Sequence, residues 1–143
     1  MSFSVDVSDW IDKATQAPET VIRGTAIKLF KSIIISSPVD EGTFRANWFV
    51  SGATPSNQVN ENVGGGYSSD VISRTSRDVE ALVNWEAITF TNNLPYAGVI
   101  EYGGFKGSGS KTVGGYSRQA PQGVVRVNAM RFNELIREEV RKL

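Results

Sequence analysis

Few residues of this chain could do chemistry, and the best candidates are two carboxylates. The 143 residues include neither cysteine nor histidine, which excludes thiolate catalysis, cysteine-ligated metals and every histidine-dependent triad. Asp40 lies in the charged turn "SPVDEGTFRANW" of residues 37–48, and Glu101 lies in "NNLPYAGVIEYGG" of residues 92–104. Two facing carboxylates could serve as the acid and base of a small hydrolase.

A structural role explains both acids better than catalysis does. Asp40 and the nearby Gly42 fit a turn in which the carboxylate caps the next residues and Arg45 is its charge partner. Glu101 has aromatic and apolar neighbours, and a buried carboxylate is costly unless it is paired, most simply with an arginine. We therefore expect Arg45 to contact Glu101 or Asp40. We expect no catalytic residue, no cofactor and no metal site.

A glycine-rich segment is the other candidate for chemistry. Residues 103–123 hold seven of the fourteen glycines together with Lys106, Lys111 and Arg118, and they contain no acid. They lack the GxxxxGK[ST] spacing of a phosphate-binding loop, because Ser110 stands in place of the second glycine. A nucleic-acid-binding module that uses this basic loop stays open as an alternative function. Over the whole chain, however, 15 basic residues balance 15 acidic ones.

The elements that must position these residues indicate a single α+β domain over residues 1–143. We predict a small antiparallel sheet packed against a long N-terminal helix and a C-terminal helix, with two long loops. Apolar periodicity predicts helices at 8–16, 18–37 and 125–143, with Val140 on the apolar face of the last. Thr75 and Asp78 have capping-box spacing and predict a helix at 75–84 that buries Val79, Leu82 and Val83. Residues 95–102 are predicted to form a short helix or a turn. Aromatic and β-branched residues predict strands at 46–51, 87–91 and about 112–118. The strand at 87–91 alternates as a half-buried strand would, and we expect Trp48 or Phe44 in the core.

The two loops, residues 52–66 and 103–123, are long for so small a domain, and such loops are usually functional. Polar, glycine-rich segments bury too little apolar surface to offset their ordering entropy. If the chain assembles into a ring, we expect them to be ordered chiefly by neighbouring subunits or by the adjoining ring. The predicted interface residues are aromatic anchors and basic side chains: Tyr67, Phe105, Lys106, Lys111, Tyr116 and Arg118.

Two motifs in this order resemble the neck or tail-completion (tail-terminator-like) proteins of long-tailed bacteriophages. The first motif is matched at Ser37, Pro38, Val39, Asp40, Gly42, Arg45 and Trp48. The second is matched at Asn92 or Asn93, Pro95, Tyr96, Ala97, Glu101 and Gly103. An apolar C-terminal helix follows, as in that family, and the resemblance covers roughly residues 21–143.

The resemblance implies a structural virion protein rather than an enzyme. It would form a homo-oligomeric ring, with six subunits favoured and twelve as the alternative, at the head–tail junction or the head-proximal end of the tail. The ring would complete the tail and contact head-connector and tail-tube or tail-terminator proteins, with genomic DNA passing through its lumen. We expect synthesis in the host cytoplasm, function in the virion and no membrane partner. The expected structural corner, which turns the helix into the sheet, comprises Pro38, Asp40, Gly42, Arg45, Trp48 and Glu101.

Overall fold

The computed structural model describes residues 3–6, 19–38, 43–60, 68–83, 87–104 and 112–142. The strands are β1 (Phe3–Asp6), β2 (Trp48–Ser51), β3 (Thr89–Asn92), β4 (Thr112–Val113) and β5 (Tyr116–Ser117). The helices are α1 (Glu19–Ser36), α2 (Thr43–Ala46), α3 (Ser68–Ala81), α4 (Ala97–Tyr102), α5 (Val125–Ala129) and α6 (Phe132–Arg141). The predicted α+β class is confirmed, whereas the predicted helix at 8–16 falls outside the described residues.

The main sheet has three antiparallel strands in the order β1-β3-β2. Its central strand, β3, is buried at all four residues. The prediction of a half-buried strand is therefore wrong, because neighbouring strands cover both edges of β3 and other elements cover its faces. The hydroxyl of Thr89 is satisfied by donating to Gly52 O at 2.7 Å. A separate hairpin of β4 and β5 occupies the place of the strand predicted near 112–118.

The core is organised by helix α1 and a stack of three aromatic rings. Pro38 disfavours helical geometry at the preceding residue, and the helix ends just before it, as predicted. Phe30 of α1 stacks on Phe90 of β3 with ring centroids 4.2 Å apart, and Phe90 stacks on Trp48 of β2 at 4.7 Å. Phe44 meets the edge of Trp48 at 5.8 Å. Trp48 is 1% exposed and Phe44 is 5% exposed, which confirms their predicted place in the core.

Helix α3 begins seven residues before its predicted start. The spacing of Thr75 and Asp78 suggested a capping box, but Thr75 is buried within the helix and cannot cap it. The predicted burial of Val79 is confirmed, whereas Val83 is 78% exposed because it lies beyond the end of the helix. Arg23 of α1 donates to the carbonyl of Val79 and to that of Leu82, and these bonds join α1 to the C-terminal end of α3.

The C-terminal region is two helices, not the single helix that its apolar spacing predicts. Helix α5 ends at Ala129, α6 begins at Phe132, and Met130 and Arg131 lie between them. Leu135 is the buried residue of α6, and the predicted core residue Val140 is 49% exposed. Among the described residues, no helix is long and apolar enough to span a membrane.

Candidate functional site

The corner between α1 and β2 is held by hydrogen bonds to the last turn of α1. Trp48 Nε1 donates to Ser37 Oγ at 3.0 Å, and that hydroxyl donates to Ile33 O at 2.7 Å. Arg45 donates through Nη2 to Ile35 O at 3.1 Å and to Ser37 O at 3.2 Å. Carbonyls at a helix C-terminus lack partners within the helix, so Arg45 supplies donors where they are needed. Burial of this guanidinium lowers the pKa of Arg45.

The predicted pairing of Arg45 with Glu101 is wrong. Both oxygens of Glu101 are engaged by another segment, and Arg45 donates to the carbonyls at the end of α1 instead. Asp40 and Gly42 lie outside the described residues, as does the alternative contact between Arg45 and Asp40. Pro38 is half-buried at the end of the helix. Glu101 therefore belongs to a second structural cluster and not to the corner.

A different residue joins the two motifs. Asn92, the last residue of β3, donates from Nδ2 to Phe44 O at 2.9 Å and accepts from Leu94 N at 3.2 Å. It also lies directly opposite Trp48 in the β2–β3 register. The ring of Tyr96, in the second motif, lies 6.0 Å from that of Phe44. The two motifs are thus neighbours in the fold, although the sequence pointed to the wrong residue pair.

Glu101 is the buried centre of a cluster that we define as Glu101, Tyr102, Tyr116, Arg126 and the backbone at the start of α5. Its side chain is 1% exposed. Oε1 accepts from the backbone N–H groups of Val124 and Val125, each at 2.7 Å. Oε2 accepts from Arg126 N at 3.0 Å and Arg126 Nε at 2.9 Å. The predicted pairing of Glu101 with an arginine is confirmed, and its partner is Arg126.

The Glu101 cluster also fastens the β4–β5 hairpin to α4. The Arg126 guanidinium lies 4.8 Å from the Tyr102 ring centroid. A hydrogen bond with the Tyr116 side chain, and then the bond with Glu101, raises the pKa of Arg126. At Gly103, where φ is +84°, a Cβ atom would lie 3.0 Å from the Tyr116 ring. Tyr116, predicted to be an interface anchor, is therefore half-buried against its own chain, while Arg118 is exposed.

The geometry of Glu101 suits a cap and not a catalyst. Each oxygen already accepts two N–H groups, and three of the four are consecutive backbone donors at the start of α5. A carboxylate at this position satisfies donors that a helix leaves without partners. At Gly123, where φ is +79°, a Cβ atom would lie 2.6 Å from Glu101 Oε1, so only glycine fits there. Among the described residues, no group of three or more potential ligands could hold a metal ion.

The described part of the first loop is anchored to its own domain. The buried amide of Asn47 donates to Asn60 O and accepts from Asn60 N, both at 2.7 Å. Asn93 donates to Ser56 O at 2.7 Å. Asparagine side chains thus supply hydrogen bonds that a neighbouring strand would otherwise provide. The remaining predicted interface residues lie outside the described part of the chain: Tyr67, Phe105, Lys106 and Lys111.

Comparisons with known proteins assign no family to this fold and site. No protein-family model matches the sequence, and no curated protein or solved structure matches it significantly. A functional proposal must therefore start from the two motifs and from the contacts that their residues make.

Proposed function

We propose that the chain is a structural virion protein of a long-tailed bacteriophage. It forms a ring at the head–tail junction or at the head-proximal end of the tail, completes the tail and joins it to the head connector. One observation carries the proposal: the two motifs that resemble neck and tail-completion proteins are adjacent in space. Asn92 of the second motif bonds to Phe44, which lies within the first, and pairs in register with Trp48.

The contacts of the motif residues support a structural role. Trp48, Arg45 and Ser37 bind one another or the end of α1. Both carboxylate oxygens of Glu101 accept hydrogen bonds from its own chain, and the residue is almost fully buried. A general acid must reach its substrate, so this arrangement favours assembly over the alternative of a carboxylate hydrolase.

Exposed apolar side chains on separate elements support assembly with more than one neighbour. Val83 after α3 is 78% exposed, Met130 between α5 and α6 is 84% exposed, and Tyr102 at the end of α4 is 57% exposed. A closed ring needs two different contact surfaces on each subunit, because its interfaces are heterologous. Exposed apolar residues in three separate segments are consistent with that requirement.

The test is to measure the assembly state of the purified chain by sedimentation velocity and negative-stain electron microscopy. We expect annular particles of six or twelve copies of the 15.6 kDa chain. Val83→Asp and Met130→Asp should each reduce the ring fraction, whereas Ser73→Asp, at an exposed residue of α3 outside both long loops, serves as the control. A chain that stays monomeric at every concentration would contradict the proposal. DNA binding that weakens steeply with salt, without rings, would instead favour the nucleic-acid-binding alternative.

A further inference from the structure

The C-terminal helix α6 is attached to the domain chiefly through its contact with α1. Leu135 is the buried residue of α6. Ion pairs accompany it: Lys28 Nζ lies 2.8 Å from Glu138 Oε2 and 3.0 Å from Glu139 Oε1. Lys142 Nζ lies 3.1 Å from Glu139 Oε1. Because α6 depends on α1 as its main packing partner, it is a unit that can exchange without disturbing the rest of the core.

The charges at this contact are mutually stabilised. Hydrogen bonds with Glu138 and then Glu139 raise the pKa of Lys28. The hydrogen bond from Lys28 lowers the pKa of Glu138. Burial raises the pKa of Glu139, but hydrogen bonds from Lys28 and Lys142 outweigh it, so that this pKa is lowered overall. The contact is therefore specific for these side chains and sensitive to the ionic conditions.

Gly24 allows α6 to pack close to the surface of α1. A Cβ atom at Gly24 would lie 2.4 Å from Glu139 Oε2 and 3.2 Å from Glu139 Cγ. A larger residue in place of Gly24 would therefore displace the Glu139 side chain from the surface of α1. One turn further along α1, Lys28 provides the charge that holds the glutamates. The outer face of α1 is thus a fitted docking surface whose occupant is the C-terminal helix of this sequence.

The junction between α5 and α6 is close to helical geometry. Met130 has φ −59° and ψ −21°, and Arg131 has φ −89° and ψ 2°. Arg131 N donates to Asn128 O, and Leu135 N donates to Arg131 O, so hydrogen bonds flank the junction on both sides. A small change at two residues would merge the two helices into one. That single helix is what the apolar spacing of residues 125–143 predicts.

A straightened C-terminus would also use apolar surface that the present packing leaves exposed. Val140 is 49% exposed while α6 lies on its own α1. In a continuous helix, Val140 falls on the same face as Val125, Phe132 and Ile136. Residues 125–142 in one helix span about 27 Å, which is roughly the diameter of a small domain. Such a helix is long enough to reach a neighbouring subunit.

We propose that α6 is exchanged between subunits: in the assembled ring, α6 of one copy docks on the outer face of α1 of the next copy. The inference rests on the proposed ring and identifies the partner of this surface as a second copy of the chain. The exchanged helix makes the same contacts between chains that it makes within one chain, so the exchange needs no new complementarity. Repeated around the ring, it links each subunit to the next in one direction.

Because the chain contains no cysteine, paired cysteines and a short bismaleimide cross-linker give a direct test. The test variant combines Gly24→Cys with Glu139→Cys and reports whether α6 is docked on α1 of its own chain or of another chain. The matched control combines Ser36→Cys with Asn128→Cys, where Asn128 Nδ2 lies 3.1 Å from Ser36 Oγ and α5 stays on its own α1. Monomeric and ring fractions are separated, cross-linked and run on a denaturing gel.

In the ring fraction, we expect the test pair to give a ladder of covalently joined chains and the control pair to give single chains. Rings whose test pair gives only single chains would overturn the exchange and leave the ring proposal intact. A chain that never forms rings would overturn both. Because Glu139→Cys removes part of the contact, Lys28→Cys with Glu138→Cys provides a second pair between α1 and α6, and it must give the same ladder.

Discussion

The Glu101→Gln variant keeps the size of the side chain but removes its charge and one of its two acceptor oxygens. Either orientation of the amide turns an NH₂ group toward two N–H donors. One orientation faces Val124 N and Val125 N, and the other faces Arg126 N and Arg126 Nε. The second orientation costs less, because the Arg126 side chain is 52% exposed and water can replace part of its lost partner.

The magnitude follows from the donors that lose their acceptor. A buried donor left without a partner costs about 1–3 kcal/mol, and bonds to a charged group are worth more than neutral ones. With one backbone donor and one partly solvated side-chain donor affected, we expect a loss of about 2–4 kcal/mol in the free energy of unfolding. That is a large part of the roughly 5–15 kcal/mol typical of a domain. For a chain of this length, it corresponds to a fall of roughly 10 °C in melting temperature.

Circular dichroism during thermal and urea unfolding measures the effect of Glu101→Gln. The matched control is Glu134→Gln, the same chemical change at an exposed residue of α6, which should stay within about 0.5 kcal/mol of the native chain. Arg126→Met should cost less than Glu101→Gln, because the carboxylate keeps its three backbone donors. If the two glutamine variants unfold at the same temperature, Glu101 does not cap α5 and the structural interpretation of the cluster is refuted.

Three further predictions concern the corner, the first loop and the C-terminal helix. In a double-mutant cycle, Ser37→Ala and Trp48→Phe should be coupled by about 1 kcal/mol, and additive effects would exclude a hydrogen bond between them. Asn47→Ala should cost about 2–3 kcal/mol and raise amide exchange at residues 55–60; unchanged exchange would show that the loop is held otherwise. Glu138 and Glu139 have pKa values below the ordinary 4.5 in the folded chain, so their stabilisation is present above that pH and lost below it. Urea titrations at pH 3 and pH 6 should show the loss, and equal pH dependence in a Lys28→Met variant would contradict it.

Features that depend on local spacing were predictable from the sequence. The bounds of α1 follow from a repeating apolar face and from Pro38, and both are local properties of the chain. The burial of Trp48 follows from its size and its place in an aromatic strand. The strand β1 was not predicted, although Phe3 and Val5 alternate with polar residues, because four residues are a weak signal beside the longer helices.

Features that depend on which segments meet were not predictable in the same way. Arg45 and Arg126 are chemically equivalent partners for Glu101, and only the fold decides between them. The deciding feature is the turn at Gly123, which brings three backbone N–H groups to the carboxylate and carries Arg126 with them. Similarly, a capping-box spacing at Thr75 occurs by chance inside a helix, where packing against the core overrides the local preference.

Burial distinguishes the motif residues, which stabilise the fold, from exposed residues that are available to contact another subunit. Trp48, Asn92 and Glu101 are each at most 1% exposed, so none of them can reach another subunit. Substitutions at these residues should therefore lower the melting temperature and affect assembly only through the fraction of folded chain. In the proposed ring, specific contacts would come instead from exposed side chains outside the motifs, such as Val83 and Met130, where a charged substitution removes apolar contact without disturbing the core. The melting temperature and the assembly state should both be measured for variants of the buried motif residues and of the exposed residues. A variant that loses assembly but keeps its melting temperature identifies an interface residue. A variant that loses both identifies a residue that stabilises the fold.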